Sequence, residues 1–367
     1  MIQKAKNKKS VVIIGGGIAG LSCGIRLKQS GWDVIVLERS GLDRGIGHGF
    51  IVQENGINSL KVIGVDLRSY KKGKEIGEFN LLDSKGNFVH SSILNSIMGF
   101  RRSDFINILE SSIPPGVVRF QHEVKNIKIG EIGIIESIIL SNGIELKADL
   151  FIAADGINSR LRKLIFPEAN LNPVLVKEIV CHSTDRELAE LIGNKFIKFQ
   201  CSSGGQSIGV VPVGSDNLVW FAQFFTKKLD IKDSDVLGFL RSNYSDWPDL
   251  VKKLLKTANI KKAHVWNTTD LDPLTKLSHK NLVFVGDAAH VFLPFTSQGV
   301  NSAIKDAEIL GDSLDLFPHI DDLKSALSSY EDSRIPEIKR IFIDGRNLRD
   351  RFIHPELFSD KIPPLAK

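Results

Sequence analysis

Cysteine is scarce in this chain: Cys23, Cys181 and Cys201 are widely spaced among 367 residues and form no CxxC pair. A disulfide framework or a structural zinc site would need a denser pattern, so both are disfavoured and no metal site is predicted. Sparse thiols of this kind are typical of a reducing compartment. We therefore expect the three cysteines to be free or buried.

The sequence also lacks a strong charge imbalance and a long apolar run. Its 48 basic and 43 acidic side chains give a net charge of +5, which is too mild to indicate a nucleic-acid partner. The apolar segment 11–25 contains successive glycines, which fit a nucleotide-binding fold better than a signal peptide. No other segment is apolar for long enough to span a bilayer. We expect a cytoplasmic protein without an integral membrane segment.

A glycine-rich turn at residues 15–20 (GGGIAG) lies between an apolar, β-branched segment at 10–14 and a helical pattern at 18–30. The first glycine permits the tight turn, the third lets the backbone approach a pyrophosphate, and the last lets the helix pack on the strand. Phosphates would meet the free N–H groups at the helix start. The turn therefore predicts a dinucleotide site with Gly15, Gly17, Ile18, Ala19 and Gly20 as contacts.

A second strand is predicted at 33–38, and it ends at Glu38, which is placed to accept hydrogen bonds from a ribose hydroxyl. Arg39 follows and is a candidate for stacking near the adenine. The glycine turn cannot distinguish NAD from FAD, because both cofactors use the same device. No second turn of this type, followed by a terminal acid, is visible. A second dinucleotide is therefore expected to bind transiently along a cleft.

Two later segments carry more specific information. Residues 155–162 (DGINSRLR) follow an apolar run, and residues 286–290 (GDAAH) are followed by Pro294 and by 298–301 (QGVN). Together with the glycine turn, and in this order, they resemble the single-component FAD-dependent aromatic hydroxylases, the family of para-hydroxybenzoate and salicylate hydroxylases. For 155–162 alone, a type I turn followed by a helix N-cap at Asn158 or Ser159 is the alternative.

The resemblance implies non-covalent FAD and assigns cofactor contacts by position. Asp287 would contact the ribityl and pyrophosphate groups, and Asp155 would lie near the pyrophosphate. The helix that begins near Gly299 would point its N-terminus at the flavin ring, where backbone N–H groups stabilise negative charge. The remaining residues assigned to FAD in this way are Arg44, at the isoalloxazine, Arg102, near the phosphates, and Val300 and Asn301, in the first turn of the helix.

The resemblance also implies an activity. NADH or NADPH would reduce the flavin, O2 would add at flavin C4a, and one oxygen atom would pass to a small hydrophobic or aromatic molecule. Pro294 would line the side of the flavin where oxygen reacts, and Arg44 would take part in catalysis from its position at the isoalloxazine. Ser297 stands where the family usually has glycine. His48 is the best candidate for a general base, because imidazole can deprotonate a phenol at neutral pH; the alternative is a simple turn residue.

Two other functions stay open. A flavin oxidoreductase that reduces or desaturates an isoprenoid or quinone could share the same cofactor elements, and a flavin-binding protein without turnover could share them too. Gln200, Gln206 and Gln223 are possible substrate contacts, although the strand pattern does not say which face they occupy. The oligomeric state is expected to be a monomer or a homodimer.

The predicted fold class is α/β, with interleaved domains. A Rossmann-like FAD-binding domain with a parallel sheet is expected from 1–72, 97–170 and 278–330, and an antiparallel-sheet substrate domain from 73–96 and 171–277. A C-terminal helical segment is expected at 331–367. The antiparallel sheet is predicted from segments in which apolar and polar residues alternate, at 195–200, 207–213 and 218–225. Helices are expected at 233–257, 301–316 and 321–348, with interruptions near Pro318 and Pro336.

Overall fold

The computed structural model describes residues 8–41, 49–231, 235–257 and 263–358. Its strands are β1 (Ser10–Ile14), β2 (Asp33–Leu37), β3 (Gly49–Val52), β4 (Lys74–Glu75), β5 (Glu78–Asp83), β6 (Phe88–Ile93), β7 (Met98–Arg101), β8 (Val118–Arg119), β9 (Val124–Ile129), β10 (Ile135–Leu140), β11 (Glu145–Leu146), β12 (Leu150–Ala153), β13 (Val176–Thr184), β14 (Lys195–Gln200), β15 (Gln206–Pro212), β16 (Asn217–Phe225), β17 (His264–Thr268), β18 (Ser278–His279) and β19 (Leu282–Phe284). Its helices are α1 (Ile18–Gln29), α2 (Glu54–Val62), α3 (Arg102–Ser111), α4 (Arg160–Ile165), α5 (Arg186–Ile192), α6 (Val236–Tyr244), α7 (Asp249–Thr257), α8 (Gly299–Leu316) and α9 (Leu323–Ile353).

A six-stranded sheet, in the order β18-β19-β12-β1-β2-β8, forms the first layer of the fold. Strand β1 pairs in parallel with β2 and β12, and β12 pairs in parallel with β19. All four residues of β12 are buried, and so are four of the five in β1. Central parallel strands are covered on both faces, which is why these segments are continuously apolar in the sequence. The parallel sheet of the predicted α/β fold is confirmed.

A seven-stranded sheet, in the order β17-β13-β16-β15-β14-β5-β6, forms the second layer. Its pairings are antiparallel except for β14 with β5. One face packs on the helices α5, α6 and α7 around Trp220 and Tyr244. The other face carries an apolar cluster that includes Phe79, Phe196 and Val219. The predicted antiparallel sheet is therefore confirmed, with one face covered by helices.

Behind this sheet, the helix predicted at 233–257 is instead two helices, α6 and α7, and Pro248 lies between them. Proline lacks a backbone N–H and disfavours helical geometry in the residue before it. The chain therefore turns at 245–248. Residues 233 and 234 lie outside the described ranges. The prediction of one continuous helix was wrong for this reason.

The C-terminal helix α9 is continuous where an interruption was predicted. The break near Pro318 is present, since α8 ends at Leu316, but α9 continues through Pro336. Two contacts hold α9 within the two turns before this proline: Tyr330 donates a hydrogen bond to the carbonyl of Phe284 at 3.1 Å, and Arg334 pairs with Asp306 at 2.7 Å. This buried packing offsets the backbone hydrogen bond that proline removes. None of the described helices is both long and apolar enough to cross a bilayer.

Candidate active site

The carboxyl ends of three neighbouring parallel strands meet at one edge of the first sheet. The glycine turn follows β1, residues 154–157 follow β12, and residues 286–288 follow β19. Ligands of α/β folds bind at such an edge. A cavity of about 1720 Å³ opens here, and the uncovered face of the seven-stranded sheet lines its other side. We call this space the main cavity. It exceeds the size of an ordinary small-molecule site, which is about 300 to 1,000 Å³.

Two of the glycines in the turn serve packing rather than the cavity wall. Gly15 has a φ of +111°, a conformation that favours glycine, and its N–H donates to the carbonyl of Leu37 at 2.8 Å. A Cβ on Gly20 would lie 1.9 Å from the carbonyl oxygen of Gly15. Both residues therefore shape the turn, and neither lines the main cavity.

Gly17 differs from these two glycines. Its φ of −74° is open to any residue, and within the ranges that the structure describes an added Cβ would meet no atom within 4 Å. Gly17 nevertheless lines the main cavity together with Ile18 and Ala19, at the start of α1. The described residues give no packing reason for glycine at this position, so the space next to it is available to a ligand. The free N–H groups of the first helical turn face the same space, which fits a pyrophosphate.

Glu38 is fixed at the end of β2. Its Oε2 accepts a hydrogen bond from the backbone N–H of Gly16 at 3.0 Å, and its Oε1 accepts one from Ser40 at 2.8 Å. The carboxylate is thus held against the glycine turn, where a ribose would follow the pyrophosphate. Arg39 is exposed, and neither residue lines the main cavity. Their contacts with ribose and adenine stay predictions.

Asp155 follows β12, and its Oδ2 accepts a hydrogen bond from the backbone N–H of Arg160 at 2.9 Å. Its Oδ1 is buried and has no hydrogen-bond partner among the described residues. Ser159 caps α4 by accepting from the N–H of Arg162 at 2.9 Å, so the turn and N-cap reading correctly describes the local structure. The buried Arg162 also donates to the carbonyl of Asp287 at 2.9 Å. It therefore joins the segments that follow β12 and β19.

Asp287 and Arg102 both line the main cavity and are exposed to it. Asp287 follows β19, and Arg102 is the first residue of α3. The positive charges of Arg102 and Arg162 act on the Asp287 carboxylate. The structure therefore brings together an acid and a guanidinium, which can bind a hydroxyl and a phosphate respectively.

A buried cluster behind Asp287 holds the turn at 286–288 in place. Asp306 is fully buried and accepts hydrogen bonds from the N–H of Gly286, from Nε2 of His290 and from Nε of Arg334, each at 2.7 Å. Burial alone would raise the pKa of Asp306, but the nearby charges of His290 and Arg334 and these hydrogen bonds lower it to about 2. The acid thus stays ionised and fixes the loop beside the main cavity.

The start of α8 also faces the main cavity. Pro294, Gly299 and Val300 line it, and a Cβ on Gly299 would meet none of the described residues within 4 Å. Ser297 adopts the left-handed conformation with φ 53° and ψ 26°, which explains why glycine would suit this position. Asn301 does not line the cavity: it is fully buried, and its side chain accepts from the N–H of Gln53 at 2.8 Å. It therefore positions the helix start.

The uncovered face of the seven-stranded sheet forms the roof of the main cavity. Gln200 and Gln223 are on this face, whereas Gln206 does not line the cavity. Two charged residues that the sequence analysis missed are also here, Glu178 on β13 and Lys198 on β14. Burial raises the pKa of Glu178 to about 7, opposed by a hydrogen bond from Gln223 and by the charge of Lys198. Burial lowers the pKa of Lys198 to about 8, opposed by Glu178.

The apolar part of the roof is formed by side chains from several strands. They are Phe79, Leu81, Val180, Phe196, Val211, Val219 and Phe221. Arg44 and His48, the predicted isoalloxazine contact and general base, lie outside the described residues. The roof therefore combines an apolar surface with a small polar group of side chains.

Comparison with known proteins agrees with this arrangement. The family model for the FAD binding domain matches residues 8–343. Monooxygenase 1 of Arabidopsis thaliana is 27% identical over 313 residues, which cover 82% of this chain and 77% of that protein. The 6-methylsalicylate 1-monooxygenase of Aspergillus terreus is 24% identical, covering 96% of this chain and 85% of that one.

A solved structure has the same fold. HpxO of Klebsiella pneumoniae, complexed with FAD and uric acid, superposes with a TM-score of 0.84 at 22% identity, covering 95% of this chain and 90% of that chain. The family match spans both the glycine turn and the segment that follows β19. The chain therefore belongs to the FAD-binding-domain family, and it is an FAD-dependent monooxygenase.

Proposed function

We propose that this enzyme inserts one atom of O2 into an aromatic or heteroaromatic small molecule, with NADH or NADPH as the electron donor. The observation that carries the proposal is the continuity of the main cavity. It connects the N-terminus of α1, the N-terminus of α8 and the apolar roof in one space. A dinucleotide and a second, flat molecule can therefore be held side by side. The relatives with known substrates support this choice, since one is named for 6-methylsalicylate.

Several residues would hold FAD in this space. Gly17, Ile18 and Ala19 would place backbone N–H groups against the pyrophosphate, and Arg102 would add a cation. Asp287 would accept hydrogen bonds from the ribityl chain, and Glu38 from the ribose. When bound, FAD supplies the redox chemistry that transfers electrons from NAD(P)H to oxygen.

The protein would contribute orientation, exclusion of water and a favourable field. The first turn of α8, at Gly299 and Val300, presents the positive end of an 18-residue helix to the main cavity. Negative charge that develops nearby is stabilised by this end. The apolar roof side chains, such as Phe196 and Phe221, limit the access of water. Pro294 is proposed to line the side where oxygen reacts.

Isotope labelling tests the reaction. Aromatic, heteroaromatic and isoprenoid compounds would be screened for stimulation of NAD(P)H oxidation, and the best compound would be converted under ¹⁸O2. We expect the product to carry one labelled oxygen atom and the second to leave as water. Mass spectrometry of the product measures this outcome. Label that comes from water, or a product that is only reduced or desaturated, would instead support the oxidoreductase alternative.

The proposed cofactor contacts are testable separately. Asp287→Ala and Arg102→Met are each expected to weaken FAD binding about tenfold to a hundredfold, because each removes a charged hydrogen-bonding group. The dissociation constant is measured from flavin fluorescence after removal and return of the cofactor. Asp246→Ala, which changes an exposed acid between α6 and α7, is the matched control. Unchanged FAD affinity in both variants would place the cofactor elsewhere.

A further inference from the structure

Lys198 is an unusual residue for the roof of the main cavity. It lies on β14, and its ammonium nitrogen is 5.8 Å from the ring centre of Phe295 and 5.7 Å from that of Phe352. Within the described part of the chain, this ammonium donates no hydrogen bond and has no acid within 4.0 Å. A partly buried cation beside two aromatic rings is costly without a partner, and ring contacts at this distance compensate weakly. The partner that the described residues do not provide would come from a ligand in the cavity.

Glu178 is the second charged residue of the roof, and it is 6% exposed. Its Oε2 accepts a hydrogen bond from Nε2 of Gln223 at 3.0 Å, and Ser207 donates to the other end of that amide, also at 3.0 Å. This chain of bonds fixes the amide orientation and therefore the carboxylate. Among the described residues, no donor contacts Oε1 of Glu178. One oxygen of the carboxylate is thus held by the protein, and the other is available.

Strand pairing places the two charges on the same face. Glu178 is opposite Gln223, which is opposite Ser207, which is opposite Gln200. Directly paired residues share a face, and so do residues two apart along a strand, so Lys198 shares the face of Gln200. The two charges interact electrostatically, yet no ion pair joins them in the described ranges. Both charges therefore face the same cavity, and neither neutralises the other in an ion pair.

We propose that Lys198 and Glu178 form a charged subsite that selects aromatic substrates with an anionic oxygen for Lys198 and a ring O–H or N–H for Glu178. The anionic oxygen is a carboxylate or an ionised ring hydroxyl. The inference rests on the proposed function, because it places the substrate under the roof. Lys198 and Glu178 are then the specificity-determining residues of the reaction, and Gln223 is a positioning residue.

The test measures binding with matched aromatic probes. FAD-loaded protein is titrated with salicylate and salicylamide, with 4-hydroxybenzoate and 4-hydroxybenzamide, and with 4-hydroxybenzoate and 4-methoxybenzoate. Binding is followed by the change in the visible spectrum of the flavin and by tryptophan fluorescence. We expect an acid to bind about tenfold or more tightly than its amide, and the hydroxyl compound about tenfold more tightly than its methoxy counterpart.

Two variants test which residue causes each preference. Lys198→Met is expected to remove the preference for acid over amide and to keep that for hydroxyl over methoxy. Glu178→Gln is expected to do the reverse, because glutamine can still accept from Gln223. The matched controls are Lys195→Met and Glu78→Gln, which change a pair 3.8 Å apart on the neighbouring strands β14 and β5. Neither control residue lines the main cavity, so both preferences should persist.

Lys198→Arg keeps the charge and provides a second test if Lys198→Met does not fold. It is expected to retain the preference for acids. The proposal is overturned if the wild type prefers no acid and no hydroxyl compound, or if both preferences survive in Lys198→Met and Glu178→Gln. If the enzyme inserts labelled oxygen into a product but shows neither binding preference, this inference is overturned and the proposed function stands. Persistent preferences, read from tryptophan fluorescence, without oxygen insertion would instead overturn the proposed function.

Discussion

Gly17→Val is expected to abolish FAD retention while the protein still folds. The φ of Gly17 is ordinary, and a Cβ there would meet no atom of the described residues within 4 Å, so valine should be accommodated in the protein without FAD. The side chain would instead occupy the space next to the N-terminus of α1, where the pyrophosphate is proposed to lie. Denaturation of the purified variant should release no FAD, whereas circular dichroism should match the wild type.

Two other glycines separate this effect from general damage to the fold. Gly20→Ala should destabilise the folded state, because its Cβ would lie 1.9 Å from the Gly15 carbonyl oxygen. Gly345→Ala is the neutral control, since the nearest atoms to its Cβ would be at 3.7 Å and alanine favours the interior of α9. If Gly17→Val retained FAD with unchanged affinity, the pyrophosphate would have to bind away from the glycine turn.

Arg334→Met is expected to lower the free energy of unfolding by about 3 to 5 kcal/mol, the usual result of removing one partner from a buried ion pair. Arg334 is fully buried, and besides Asp306 it contacts Ser302 Oγ at 2.6 Å. Methionine fills much of the volume but leaves the Asp306 carboxylate with less compensation. Denaturant titration measures the change. Arg340→Met, at an exposed position of the same helix, should change stability little.

The same cluster predicts how stability depends on acid. The pKa of Asp306 is about 2 in the folded state against an ordinary value of 3.8, so its ionised form is bound more favourably by the folded chain. This contribution is fully present above pH 3.8 and is lost as the pH falls towards 2. Asp306→Asn should remove that part of the decline, although the variant starts from lower stability. An identical acid dependence in both proteins would contradict this role.

Local sequence was sufficient for the elements whose structure depends on nearby residues. Strand β14 has the predicted limits, and β1 and α1 flank the glycine turn as expected. Alternation within a strand, however, does not say which face will be covered. That choice is set by pairing between distant segments, such as β14 with β5, and it decides that Lys198 and Glu178 face the cavity. The sequence signal that could have identified such a residue was a charged side chain within an otherwise apolar strand.

Two prolines have opposite effects on the helices that contain or flank them. Pro248 separates α6 from α7, whereas Pro336 is accommodated inside α9. The difference lies in tertiary contacts, because Tyr330 and Arg334 hold α9 from within the core. Such contacts join residues from remote parts of the chain, so a local pattern does not reveal them. The sequence did indicate that two of the cofactor segments follow apolar runs, which are β1 and β12 in the structure.

The position of β12 in the first sheet has a consequence for protein synthesis. This strand pairs with β1 on one edge and with β19 on the other, and β19 begins at Leu282. A ribosome that adds about 5 to 20 residues per second needs roughly 6 to 26 seconds to make the intervening chain. During that time an apolar strand that is buried in the finished protein has an unpaired edge, which is a template for aggregation. We therefore expect the yield in a cell to rise when chaperones shield the nascent chain until β19 emerges.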